Sequence, residues 1–391
     1  MTRSIMAGLA MVLVAALVLP AGCRPSASGP TTSPGGPDSA QAQRWLDMLK
    51  VLPLNEGKIG ETSPAENVLR SAYVQDLARL AEKQKQYPQI TDNYSLLQNM
   101  PMWNLRYYTD TEWRETLGFT RSDVDQEIWA YRTVPMDSYQ ALSGRFDRGR
   151  IETAAKTGPG HELMQTAMYA GQQYYGWGDM SMSLRSNVRP IGYGMRLALV
   201  DDFVFWTTWD DGMKEMIDAC QGKAKSLADL ESYQLLAGGL ARLDTFTAFF
   251  SSESQAQSHI KEVFKDIIAD PGEGEGARTR RVMAELIQRE VLLQPYQALA
   301  TGAGVDDKGY YMAVVLLNAD EATARGNAAV LEKQVSDVTT PDGSLADLVQ
   351  QFEVTSEGRL TLAKLYGPVS AHWKSFDMTT GAYIPLLMYR G

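Results

Sequence analysis

Residues 195–208 read MRLALVDDFVFWTT, and this stretch decides the fold class. Two runs of mainly apolar, β-favouring residues, 195–200 and 203–208, flank the pair Asp201-Asp202. Runs of this composition are typical of strands, and an acidic pair between them suits a tight two-residue turn. The stretch therefore predicts an antiparallel β-hairpin.

Helices and further strands surround this hairpin in the order expected of an α+β protein. Helical and strand patterns alternate along residues 119–270, which we predict to form a first α+β lobe. The predicted helices are 147–156, 211–220, 227–240 and about 254–268. The other predicted strands are the two arms of a hairpin within 128–144, a strand carrying Tyr174 and Trp177, and one near 245–250.

A similar order of elements recurs in residues 271–391, which we predict to form a second α+β lobe. The acidic, glycine-rich run Pro271-Gly-Glu-Gly-Glu-Gly276 breaks the chain and marks the boundary. The predicted elements are a hairpin of 296–301 and 310–317, a helix of 320–336, and strands at 348–354, 360–366 and 384–389. Both lobes thus contain a hairpin, a helix and further antiparallel strands. A duplication and a convergence on a common order both explain this likeness.

Residues 44–118 are predicted to form a helical segment before the two lobes. Ser63-Pro64-Ala65-Glu66 combines an N-cap serine, a proline at the first helical position and a glutamate three residues after the cap. The apolar residues that follow at helical spacing are Leu69, Tyr73, Leu77 and Leu80. We therefore expect a helix from residue 63 to about 87, and a shorter one at 111–117 closed by Gly118.

Residues 1–22 have the organisation of a secretory signal peptide. Arg3 precedes an uncharged, mainly apolar run from Ile5 to Leu19, and Ala21-Gly22 follows. Small residues directly before Cys23 resemble the lipobox of bacterial lipoproteins, although Pro20 stands where leucine is preferred. The resemblance implies that Cys23 carries acyl chains and anchors the mature chain to a cell membrane on its extracytoplasmic side. The alternative is an ordinary secretory signal followed by an incidental cysteine.

Residues 23–43 are rich in proline, glycine and serine and contain little that could be buried. Such a composition is typical of disordered linkers. We therefore predict a disordered tether between the lipid anchor and the folded chain.

Charge and residue counts argue against several classes of ligand. The 47 acidic residues outnumber the 37 basic ones, so nucleic acid is not expected as a partner. The three histidines, His161, His259 and His372, are widely separated, which disfavours an imidazole-rich metal site. With no phosphate-binding loop in evidence, we expect no organic cofactor and no metal, although acidic turns leave weak calcium binding open.

The second cysteine, Cys220, ends a predicted helix among apolar residues. A buried, inert thiol is the expected role for it. Two cysteines are also too few for a framework of several disulfides.

Aromatic residues are the candidate ligand contacts. The candidates are Tyr174, Tyr175, Trp177, Trp206 and Trp209. Aromatic faces stack on sugars and anchor protein partners, but alternation within strands equally predicts core positions. Both interpretations are open at this point.

One succession of residues resembles a group of uncharacterised bacterial lipoproteins and secreted proteins of unknown function. The succession is Leu197-Ala-Leu-Val-Asp-Asp202, Met216-Ile-Asp-Ala219, Gly222, Ser226-Leu-Ala-Asp229 and Tyr233, and residues 307–310 with the strand and helix after them fit the same group. The resemblance implies an extracytoplasmic α+β protein and carries no catalytic residue to this chain.

Two classes of function are compatible with these features. The first is a lipid-anchored protein with a non-catalytic binding or structural role, whose partner is a protein or a carbohydrate. The second is a surface-anchored hydrolase or carbohydrate-active enzyme that uses Asp and Glu. A glycosidase would need two carboxylates about 5 to 10 Å apart across a cleft.

Overall fold

Twelve strands join in one antiparallel sheet, with helices on both of its faces. The computed structural model describes residues 37–54, 71–88, 109–131, 138–178, 194–252, 293–337, 339–340, 343–344 and 349–367. The helices are α1 (Pro37–Leu49), α2 (Leu77–Gln86), α3 (Asp110–Leu117), α4 (Arg148–Thr157), α5 (Asp210–Cys220), α6 (Glu231–Arg242) and α7 (Glu321–Asp337). The α+β fold class is therefore confirmed.

The strands fall in two groups along the sheet. The strands are β1 (Ser71–Asp76), β2 (Val124–Tyr131), β3 (Ser138–Gly144), β4 (Met164–Tyr169), β5 (Gln172–Trp177), β6 (Met195–Val200), β7 (Phe203–Thr207), β8 (Thr247–Ser251), β9 (Tyr296–Asp306), β10 (Gly309–Asn318), β11 (Thr339–Thr340), β12 (Gly343–Ser344), β13 (Gln351–Glu357) and β14 (Leu360–Tyr366). The order in the main sheet is β13-β14-β10-β9-β8-β1-β2-β3-β7-β6-β5-β4, and β11 pairs only with β12. Strand β1 thus joins the β2–β7 group to the β8–β14 group.

The hairpin predicted over residues 195–208 is confirmed. Strands β6 and β7 pair from Val200↔Phe203 to Arg196↔Thr207. Asp201 in the turn has a φ of 50°, a left-handed conformation that aspartate tolerates better than most residues. The predicted hairpins β2–β3 and β9–β10, the strands β13 and β14, and the helices α3, α4, α5 and α7 are also present.

Two expectations about the N-terminal part need correction. Residues 71–76, expected to be helical, form the central strand β1, and the helix begins only at Leu77. Strand β1 pairs on both sides, with β2 and β8, so neighbours distant in sequence override the local helical spacing. At the junction, the Asp76 carboxylate accepts a hydrogen bond from the Arg79 N–H and caps α2. Residues 63–70 lie outside the described residues.

The last residues of the predicted tether are helical, contrary to expectation. Helix α1 begins at Pro37, a residue suited to the first turn of a helix. Trp45, Met48 and Leu49 are fully buried in the main core, so residues 37–43 belong to the folded part. The signal peptide, Cys23, the boundary at 271–276, the helix at 254–268 and the strand at 384–389 lie outside the described residues.

The core consists of two layers, one on each face of the sheet. The larger layer packs α1, α5 and α6 against strands of both groups, and its fully buried residues include Tyr139, Phe205 and Phe250. On the opposite face, α3 and α4 pack over the strands around β6 and β7, and α7 packs over β13 and β14. In the described part of the chain, no helix combines the length and the apolar character needed to cross a membrane.

The two groups of strands share a connection pattern. Hairpin β2–β3 is followed by α4, by strands at one edge of the sheet and by β7, which returns beside β3. Hairpin β9–β10 is followed by α7, by the opposite edge strand β13 and by β14, which returns beside β10. The expected common order of elements is therefore visible in the sheet.

Candidate functional site

The candidate aromatic residues do not share one surface. Tyr174, Tyr175, Trp177 and Trp206 are each at most 7% exposed. Tyr174 lies in the larger core layer, and Trp209 packs against its border. Tyr175, Trp177 and Trp206 belong to the layer on the opposite face. Four of the five candidates are thus core residues, as strand alternation equally predicted.

One of these residues belongs to a charged cluster at the start of α5. Arg196, whose side chain is 8% exposed, donates from Nε to Asp210 Oδ1 at 2.9 Å and from Nη2 to Oδ2 at 2.8 Å. The Tyr174 hydroxyl also donates to Asp210 Oδ1, at 3.0 Å. Hydrogen bonds from Arg196 lower the pKa of Asp210, while burial and then the hydrogen bond to Asp210 raise the pKa of Tyr174.

Two glycines leave the space that the Arg196 side chain occupies. A Cβ at Gly176 would lie 3.1 Å from Arg196 Cδ, and one at Gly194 would lie 2.9 Å from Arg196 Nη1. The Arg196 guanidinium also donates to the carbonyl of Gly178 at 2.8 Å. The close approach of backbone and guanidinium therefore depends on residues without a side chain.

Three carboxylates of α5 each accept a hydrogen bond from a tyrosine of the sheet. Besides Tyr174 and Asp210, the Tyr139 hydroxyl donates to Glu215 Oε2 at 2.5 Å and the Tyr169 hydroxyl donates to Asp218 Oδ2 at 2.8 Å. The three tyrosines belong to three strands, β5, β3 and β4. We call this set the tyrosine–carboxylate row. It fixes the position of α5 on the sheet.

A second polar group lies on the other face of the central strands. Gln75, Glu127 and Gln140 are each at most 1% exposed, on β1, β2 and β3. Among the described residues, neither amide atom of Gln140 has a hydrogen-bond partner. A buried amide without hydrogen bonds lowers the folding stability by about 1–3 kcal/mol. Gln140 is therefore the candidate on this face for a hydrogen bond to a ligand. In the sequence, this buried polar group is indicated only by polar residues at alternate strand positions. That pattern is equally typical of strands with one exposed face.

Charged residues also surround the β9–β10 turn. Asp306 accepts hydrogen bonds from Lys364 and from the Tyr366 hydroxyl, both at 2.9 Å. Burial raises the pKa of Asp306, but these hydrogen bonds outweigh it and the net pKa is lowered. Nearby, Asp244 accepts from Lys83 at 2.5 Å and from Arg79 at 2.6 Å. The two ion pairs of Asp244 join α2 to the segment between α6 and β8.

Two open grooves lie outside these clusters. The larger, with a volume of about 810 Å³, runs between α3 and α4 and is lined by both arginines and acidic residues, among them Arg114, Glu115 and Arg150. The smaller, of about 620 Å³, lies between α1 and the residues that follow α5, and Lys50, Lys223 and Asp229 are in its lining. Each groove mixes the two signs of charge, so neither has the character of a dedicated anion or cation site.

Metal ligands and cysteine are the remaining groups with site chemistry. Among the described residues, no three His, Cys, Asp or Glu side chains converge as a metal site would require. Cys220 is 2% exposed, so the expected burial of this residue is confirmed.

Sequence reasoning missed Arg196 as a site residue. An arginine in the otherwise apolar run 195–200 was a usable signal, because a charge in a buried strand requires a partner. Asp210 directly precedes the predicted helix 211–220, and nothing local in the sequence connects it to Arg196.

Comparisons with known proteins give little further information. No protein-family model matches the chain, and no curated protein matches it. Two solved structures of TP0453 are similar at 9% and 8% identity, each with a TM-score of 0.39. They cover 85% of this chain and 96% and 97% of theirs. Because these TM-scores are low, the likeness carries no argument about function.

Proposed function

We propose that this chain is a lipid-anchored extracytoplasmic protein with a non-catalytic binding or structural role. The observation that carries the proposal is the docking of α1. Its residues Trp45, Met48 and Leu49 are fully buried, and Arg44 pairs with Asp76 of the central strand at 2.6 Å. The folded body thus begins close to the predicted lipid attachment site at Cys23.

The distance between anchor and body follows from chain geometry. Residues 24–36 separate Cys23 from α1. At about 3.3 Å per residue, a fully extended segment of that length spans about 40–45 Å. A lipid at Cys23 would therefore hold the body near the membrane surface.

The charged cluster at α5 supports a non-catalytic role. A carboxyl that acts as general acid at neutral pH needs a raised pKa. Asp210, which accepts from the candidate aromatic Tyr174, instead has a lowered pKa because Arg196 binds both of its oxygens. The tyrosine–carboxylate row therefore has the character of a structural clamp.

Intact-mass analysis of the mature chain from membrane fractions tests the anchor. We expect a chain that begins at Cys23 and carries acyl groups, and we expect Cys23→Ala to release the protein from membranes. The matched variant Cys220→Ala should leave membrane retention unchanged, since that residue ends α5 inside the body. Retention of the Cys23→Ala chain, or an unmodified N-terminus at another residue, would overturn the proposal.

The same measurement separates two uses of the Cys23 sulfur. The chain has only two cysteines, Cys23 and Cys220, so a disulfide within one chain would have to join them. One sulfur cannot carry a thioether-linked lipid and a disulfide together. Acylation adds a large mass, whereas a disulfide between the two cysteines of one chain removes two hydrogens. Detection of that disulfide in the mature chain would count against the anchor.

A further inference from the structure

The two edges of the main sheet are protected to different degrees. Strand β13 forms one edge and β4 forms the other. An edge strand presents unpaired N–H and C=O groups, and natural sheets usually block such edges with charge or cover. Whether an edge is blocked therefore indicates whether it is available for pairing.

The β13 edge is blocked. It carries Glu353 and Glu357, which form ion pairs with Lys308 and Arg242. Helix α7 also packs against β13. A second strand brought to this edge would meet charged side chains along its length.

In the part of the chain that the structure describes, the β4 edge is neither charged nor covered by a helix. Its sequence, MQTAMY, has no charged residue and no proline. Gln165, Thr166 and Met168 are exposed, and Met168, at 64%, is the one large apolar side chain so exposed in the described residues. Strand β5 is its only partner in the described sheet.

We propose that β4 pairs antiparallel with β4 of a second copy of this chain about a two-fold axis. The proposal goes beyond the lipid-anchored role and does not depend on it. Two molecules with a formal charge of −10 repel each other, so contact is favoured where the surface is neutral. Strand β4 is such a strip, and its pairing would extend the sheet across two molecules.

Two-fold symmetry restricts the register. With the axis perpendicular to the sheet, paired residues must lie on the same face, so their residue numbers add up to an even number. One such register is centred on Ala167 and opposes Thr166 with Met168 of the second copy. Another is centred on Thr166 and opposes Met164 with Met168. In both registers, every residue of β4 faces an uncharged residue.

Sedimentation velocity over a concentration series tests the pairing. Edge pairing of six residues is a small interface, so we expect a reversible dimer with a dissociation constant of about micromolar order or weaker. Thr166→Lys places a lysine of each copy at the two-fold axis in one register and beside it in the other, and should weaken the dimer at least tenfold. The matched control is Thr355→Lys, which puts the same change at an exposed threonine of β13 and should leave the dimer unchanged.

Cysteine cross-linking tests the register independently. Ala167→Cys should give a disulfide-linked dimer under mild oxidation if the axis passes through residue 167, and Thr166→Cys should do so if it passes through residue 166. The unsubstituted chain controls for links through the native cysteines. A monomer throughout the concentration series, a dimer indifferent to Thr166→Lys, or the absence of both cross-links would overturn the proposal. A monomer that binds an extended peptide at β4 would assign the edge to a different partner.

Discussion

The two groups of strands hold their helices by different chemistry. In the β2–β7 group, α5 is fixed through its carboxylates, by the Arg196–Asp210 ion pair and by the tyrosine–carboxylate row. In the β8–β14 group, α7 is fixed by neutral amides that are fully buried, because Asn327 Nδ2 donates to Asn318 Oδ1 at 2.7 Å. One helix of each group is therefore held on the sheet by different polar chemistry, an ion pair and other carboxylate contacts for α5 and amide hydrogen bonds for α7.

This difference has consequences for pH and for mutation. An ion pair that is partly exposed is screened by solvent and depends on ionisation, whereas a buried amide network has no titrating group. We therefore expect substitution of one residue to lower stability more at the buried amides of the β8–β14 group. Acid should lower stability more at the ion pair of the β2–β7 group.

The largest effect is expected from Asn327→Leu. Asn327 accepts from the N–H of Gln294 at 2.6 Å and donates to the carbonyl of Gln294 at 3.1 Å, in addition to its bond with Asn318. The substitution removes these hydrogen bonds from buried Asn318 and from the backbone of Gln294, which should lower the free energy of unfolding by about 3 kcal/mol. Urea denaturation measures this decrease in the free energy of unfolding. Arg325→Ala, at an exposed position of the same helix, is the control and should cost about 0.5 kcal/mol or less.

A smaller effect is expected from Arg196→Met. The methionine keeps part of the packing but removes both hydrogen bonds to Asp210, whose side chain is 47% exposed and can regain water. We expect a loss of about 1–2 kcal/mol in urea denaturation. A loss greater than that of Asn327→Leu would reverse the comparison between the two sides. Lys214→Ala, which removes an exposed ion pair of α5, controls for general effects of charge.

The smallest effect is expected from Asp210→Asn, and it concerns pH. The pKa of Asp210 is lowered in the folded state, so its stabilising contribution is present above the pKa of the unfolded chain. That contribution is lost as the pH falls through the lower folded pKa, that is, below about pH 4. The variant should therefore lose less stability than the unsubstituted chain between neutral pH and pH 3. Thermal melts at both pH values measure this, and equal acid sensitivity of the two proteins would contradict it.

Elements with a strong local pattern were predicted well. The two apolar runs within residues 195–208 form a hairpin. Asp147 caps a helix at the expected place by accepting a hydrogen bond from the Arg150 N–H. The 17-residue helix α7 also lies where its pattern indicated. In each case the deciding interactions are between residues close in the sequence.

The candidate site was predicted poorly, since its interactions are long-range. Arg196 and Asp210 are joined only when β6 and the start of α5 meet in space, and Tyr139 reaches Glu215 across 76 positions of the chain. The apolar character of the strands indicated burial, but not which face each aromatic residue would occupy. Tyr174 and Tyr175 consequently lie in different core layers although they are adjacent in sequence.

By itself, the sequence determined the secondary structure of segments whose periodicity and caps agree, because backbone hydrogen bonds and turn preferences act over a few residues. Tertiary structure decided the rest. Residues 71–76 have helical spacing yet became the central strand, because β2 and β8 pair with both of its edges. The pairing of β8, from the first expected lobe, with β9, from the second, placed both lobes in one sheet, with a charged edge at β13 and a neutral one at β4. Local preferences could not predict this order of strands, because it depends on which distant strands become neighbours.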